Sequence, residues 1–159
     1  MQWAHRSLAP SRGLKALCGA LLSSCMDYDT FIGELTHELE LPDTGRTVRA
    51  VRAVLTTLGR RISAGDASDV ASNLPVGVRW YIDDGAGAHG QRFDWSTFLE
   101  TVAAETQTDP AEAAYMARVV MVKVAAVIPH TDLMQLRNGL PEHADAEDWG
   151  QLFELVEAS

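Results

Sequence analysis

One spacing constrains this chain more than any other feature: a stretch near its start recurs 67 positions later. Asp27-Tyr28-Asp29-Thr30-Phe31-Ile32 aligns with Asp94-Trp95-Ser96-Thr97-Phe98-Leu99, and Glu38 then matches Glu105. After a one-residue deletion the separation becomes 66, which pairs Arg52 with Arg118, Val54 with Val120, Ile62 with Ile128, Asp66 with Asp132 and Leu74-Pro75 with Leu140-Pro141. Unrelated segments do not keep both their starts and their Leu-Pro stops in register. The chain therefore reads as a tandem duplication of one unit.

The unit is helical. Tyr28, Phe31, Ile32, Leu35 and Leu39 fall on one face of a first helix, with Asp27 placed to cap its free N–H groups. Trp95, Phe98, Leu99 and Val102 repeat that stripe behind Asp94. Val48, Val51, Leu55, Leu58 and Ile62 form the stripe of a second helix. Its copy opens on Asp109-Pro110-Ala111-Glu112, a cap, a first-turn proline and an acidic third residue, and runs from Tyr115 through Val127. Ser63-Ala64-Gly65-Asp66 has capping-box spacing and predicts a short third helix through Val70 to Leu74, with Thr131-Asp132 beginning its equivalent. Pro75 and Pro141 stop both, because proline disfavours helical geometry at the residue before it. Trp80, Tyr81 and Ile82 close the first unit. Trp149, Leu152, Phe153 and Val156 close the second, where the longer final helix is expected. The expected fold is all-α, two copies of a three-to-four-helix unit packed as one pseudo-symmetric domain. Repeat 1 covers 26–82, a Gly-rich linker 83–92, and repeat 2 93–157.

Residues 1–25 stand apart. The apolar run Ala16–Leu22 ending Ser23-Ser24-Cys25 has the form of a lipoprotein signal, the segment as a whole also reads as a disordered tail, and Met26 reads as an alternative start of translation. Cys18 and Cys25 are the only cysteines, so the rest of the chain has no disulfide or thiol chemistry. The three basic residues Arg6, Arg12 and Lys15 precede the first acidic one. From Met26 onward 10 basic residues therefore face 22 acidic ones, a net charge of −12. Such a surface repels phosphate backbones and anionic lipid, so neither nucleic acid nor a membrane is an expected partner. Beyond residue 25 no apolar run approaches the roughly 18 residues of a transmembrane helix. Only Lys123 represents lysine there. Abundant carboxylates with scarce lysine point to a salt-rich cytoplasm, where screening offsets self-repulsion.

Chemistry-bearing motifs are weak. Gly85, Gly87 and Gly90 spell G-x-G-x-x-G, but no strand precedes them and Asp83 and Asp84 would repel a pyrophosphate, so they read as linker. His37, His89, His130 and His143 lack the spacing of a helical metal site. Asp29, Glu34, Glu38 and Glu40 read as a solvated helix face, and no G-x-S-x-G frames a serine nucleophile. Trp80, Trp95 and Trp149 lie on apolar stripes and are expected in the core. No catalytic residue, metal ligand or cofactor is assigned. Arg52 and Arg118, a charge kept in both copies, are the candidate partner or anion contacts. Their structural alternative is salt bridges to Glu38 and Glu105.

Met26 through Phe31, the helix Val48 to Leu58 and the segment Leu58-Gly59-Arg60-Arg61-Ile62-Ser63-Ala64-Gly65-Asp66-Ala67, followed by Leu74-Pro75, resemble the duplicated family called domain of unknown function 2267. The second copy departs from its pattern, with Pro129-His130-Thr131-Asp132 in place of the Ser-x-Gly-Asp segment. The resemblance implies an all-helical fold and brings no activity with it. The expected function is a non-enzymatic cytoplasmic protein with an interaction or regulatory role, acting on a protein partner or on itself. The alternative is a small-ligand or metal-binding protein with its site between the repeats near Arg52 and Arg118.

Overall fold

A computed structural model of the chain describes residues 26–87, 90–140 and 146–159. The expectations for residues 1–25, His89, Pro141 and His143 lie outside them. Among the described residues there is no strand, and the fold is all-α. The helices are α1 (Tyr28–Glu38), α2 (Thr44–Arg61), α3 (Ala64–Asn73), α4 (Val76–Gly85), α5 (Trp95–Thr106), α6 (Pro110–Val127) and α7 (His130–Gly139). A broken segment follows, made of α8 (Ala146–Gly150), a 3-10 turn (Gln151–Phe153) and α9 (Glu154–Glu157).

Local chemistry sets the starts. Asp27, Asp43, Asp94 and Asp109 each accept the N–H of the residue three further on, at 2.7–2.9 Å, which satisfies a donor the helix cannot. The Thr97 N–H, seconded by its hydroxyl, holds the Asp94 carboxyl below its ordinary value. Ser63 caps α3 by accepting from Asp66 N and donating to its carboxylate. α7, where the sequence places the equivalent helix, follows Pro129 with no side-chain cap. Stops also correspond. Glu40 (φ 50°) and Gln107 (φ 59°), the non-glycine residues at positive φ among those described, lie 67 positions apart. The next N–H in each case reaches back five residues, Leu41 to Thr36 O and Thr108 to Ala103 O, closing the helix end in a Schellman-type turn.

Packing between the halves is reciprocal. α1 lies on α6 and α5 lies on α2, while α2 meets α6 and α3 meets α7. The predicted stripes of α1 and α2 are buried, apart from partly exposed Tyr28 and Val48. The burial of α2 goes further, because every residue from Ala53 to Gly59 is buried and that stretch of the helix is enclosed on all sides. Small residues make this possible. A Cβ on Gly59 would lie 2.3 Å from Ile82 O, and one on Gly85 would lie 2.0 Å from Thr56 O, so α2 and α4 cross backbone to backbone. Thr56 Oγ1 donates to Tyr81 O in the same crossing, at 3.0 Å.

One expectation is corrected here. Asp83, Asp84 and Gly85 are the last turn of α4 and not linker, because Gly85 provides the close approach to α2. Gly90 also packs closely: a Cβ there would lie 2.5 Å from Arg61 O and 2.8 Å from Ile62 O, and Gln91 N donates to Arg60 O, so this segment covers the end of α2. The two final segments differ in regularity among the described residues. α4 runs unbroken for 10 residues, while the second half's final segment breaks into short turns as Trp149, Leu152 and Phe153 all turn inward.

Candidate functional site

The expected bridges from Arg52 to Glu38 and from Arg118 to Glu105 are not made. Glu38 lies 3.6 Å from Lys123 Nζ, which also pairs with Glu34, and Glu105 lies 3.9 Å from Arg60. Both arginines instead face the final segment of their own half. Arg118 Nε donates to Gln151 O at 3.1 Å and lies 3.4 Å from Glu154, while Nη2 donates to Gln151 Oε1 at 3.2 Å. Arg52 is exposed and makes no ion pair among the described residues. It borders a shallow groove of about 420 Å³ with Trp80, Tyr81, Asp83 and Asp84, which Arg118 does not line.

Trp80 departs furthest from expectation. Trp95 and Trp149 are buried, but Trp80 is 64% exposed, as is Val76 one turn before it. The opposite face of α4 carries Val78 and Ile82 into the core. Both faces have helical spacing and both are apolar, so the sequence offers no signal of which one α2 covers. The groove thus presents an indole, a free guanidinium and two carboxylates side by side. No three His, Cys, Asp or Glu side chains converge as a metal site would need, among the described residues.

A family model described as "Uncharacterized conserved protein (DUF2267)" matches residues 28–146. The chain belongs to that family. No curated protein matches it. The matched span of this DUF2267 chain takes in α1 through α7, hence both Arg52 and the Trp80 groove. No helix among the described residues is long and apolar enough to cross a membrane.

Behind the groove, the Tyr81 hydroxyl lies 3.2 Å from that of Tyr28, and the Tyr28 ring fills the space a side chain at Gly77 would need. This contact fastens α1 to α4. Burial, and then the Tyr81 hydroxyl, push the Tyr28 phenol up from 10.0 to about 12. The unfolded chain ionises Tyr28 first, so the associated stability is intact below pH 10 and is lost as pH rises from there through about 12. Tyr28→Phe should flatten this step in denaturant titrations taken across the window. Parallel losses in the two proteins would contradict it.

Arg61 is a further residue with a structural role that no sequence signal marks. It is 6% exposed, donates from Nε to Phe93 O at 3.1 Å and from Nη2 to Leu140 O, and sits 5.5 Å above the Trp149 ring. That ring closes an aromatic cluster with Trp95 and Phe98, at 5.4 and 5.5 Å. The residue 66 positions on is Val127, so this fastening exists in one direction only.

Proposed function

We propose that this chain is a non-enzymatic, cytoplasmic protein-interaction module, and that the α4 face docks a second copy. The observation carrying this reading is the 64% exposed Trp80 beside a groove that holds both signs of charge. Trp and Arg are the side chains that most often dominate interface energies. A face that carries Arg52 from α2 and Asp83 and Asp84 from α4 can complement itself under a two-fold axis, where each residue meets its partner's counterpart reciprocally. The tandem duplication belongs to the same proposal, supported by the reciprocal helix contacts and the matched left-handed residues Glu40 and Gln107.

Sedimentation velocity over a concentration series tests the docking. Trp80→Ala should weaken self-association about thirtyfold, the effect of losing an anchor of about 2 kcal/mol. Arg52→Glu should weaken it too, and adding Asp83→Arg and Asp84→Arg to that variant should restore it. A wild-type chain that stays monomeric to about 1 mM, a concentration at which even weak specific pairs associate, would overturn the reading.

A further inference from the structure

A second cavity, sharing no lining residue with the Trp80 groove, lies where the two halves bring their first turns together. Leu41, Arg46 and Arg49 come from the α1–α2 turn and the start of α2. Thr106, Gln107, Thr108, Glu112 and Met116 come from the corresponding region between α5 and α6. Its volume is about 210 Å³. At about 30 Å³ per water this holds about seven waters, too little for a nucleotide and enough for a small metabolite.

The polar groups divide by sign. Arg46 and Arg49 lie one turn apart on α2. Arg46 has only an exposed contact to Asp43 at 3.8 Å, and Arg49 makes no ion pair among the described residues. Two guanidinium groups on one wall suit a carboxylate, which they bind through paired N–H donors. The other wall offers acceptors. Thr106 Oγ1 donates to Val102 O at 2.7 Å, so in its 2.8 Å contact with Thr108 Oγ1 it accepts, and the Thr108 proton is spent there. Thr108 is left presenting lone pairs, and Glu112 lines the same cavity, a pair of acceptors that suits an ammonium group. Leu41 and Met116 supply apolar surface. The turn carrying this wall is fixed by the Schellman-type helix end at Gln107, where Thr108 N donates to Ala103 O.

We infer that this cavity binds a small zwitterion of the α-amino-acid class, its carboxylate on Arg46 and Arg49, its ammonium on Glu112 and Thr108, and an apolar side chain against Leu41 and Met116. The inference is independent of docking through Trp80. Calorimetric titration of the full chain with L-leucine tests it, with 4-methylpentanoate, isoamylamine and inorganic phosphate as comparisons. L-leucine should bind saturably, and each probe lacking one charge should bind at least about tenfold more weakly, the effect of leaving one charged partner unmatched. Arg49→Met should weaken L-leucine about tenfold or more. Glu112→Gln should weaken L-leucine but not 4-methylpentanoate. Both positions are exposed on helices, and circular dichroism melts check that the variants fold. Absence of saturable L-leucine binding, equal binding of phosphate, or an unaffected Arg49 variant would each overturn the inference.

Discussion

Gly59→Ala should lower the melting temperature by about 10 °C, and Gly85→Ala by a similar amount. In an open helix the same change would stabilise by about 1 kcal/mol, since alanine loses less backbone freedom than glycine. The sign reverses because the new methyl has nowhere to go. At Gly59 it would lie 2.3 Å from Ile82 O, and at Gly85 2.0 Å from Thr56 O. The obstacle is backbone in both cases, so no side chain can swing aside and the helices must separate. Overpacking a core costs about 1–3 kcal/mol, and a backbone obstacle belongs at or above the upper end. For a domain of this size 3 kcal/mol corresponds to about 10 °C. Gly33 is the internal control: it lies within α1 with nothing within 4 Å of a new Cβ, so Gly33→Ala should raise the melting temperature slightly. Calorimetry on the three variants checks the contrast. If all three melt alike, α2 and α4 do not cross as closely as described.

Arg61→Met should cost about 3 kcal/mol, while Arg60→Met next to it should cost about 0.5 kcal/mol or less. Methionine keeps much of the stem's volume but leaves Phe93 O and Leu140 O without the guanidinium and removes the cation from the Trp149 face. Hydrogen bonds to a charged donor contribute about 1.5–3 kcal/mol each, and a desolvated cation–π contact up to about 2. Partial relaxation of the loosened contacts keeps the net below their sum. Arg60 has only a half-exposed pair with Glu105, at 3.9 Å, which solvent largely screens. Arg61→Lys should recover little, since an ammonium cannot span two carbonyl oxygens as the planar fork does. Chemical denaturation supplies the stabilities, and near-ultraviolet circular dichroism reports the Trp149 environment. An Arg61→Met protein as stable as wild type would show that this side chain does not tie α2 to the second half.

The helices were legible because their signals are local. An aspartate three residues before the N–H it accepts, a proline after leucine, and apolar residues at i, i+3 and i+4 act within a turn or two of backbone. Hence α1, α3, α5 and α6 start within a few residues of where those signals place them, and the family resemblance rests partly on the same segments. The candidate site was only half legible. Arg52 stood out because the 66-residue offset repeats it, yet its neighbours did not. Glu38 goes to Lys123 instead, a choice among several carboxylates within sequence reach that side-chain positions settle. Gly85 was hidden by its company, since Gly-rich composition looks the same in a linker and in a helix end pressed against another helix.

Sequence alone determined the all-α class, the caps at Asp27, Ser63, Asp94 and Asp109, the stop before Pro75, and membership of the family, since hydrogen-bonding chemistry and periodicity act along the chain. Tertiary structure decided which apolar face of α4 is covered and which is left to solvent. It also decided that Arg61 is buried and that two turns 67 residues apart enclose a cavity. These outcomes depend on how closely one helix approaches another, and the approach of α2 to α4 is set by space at Gly59 and Gly85 that no periodicity along either helix records.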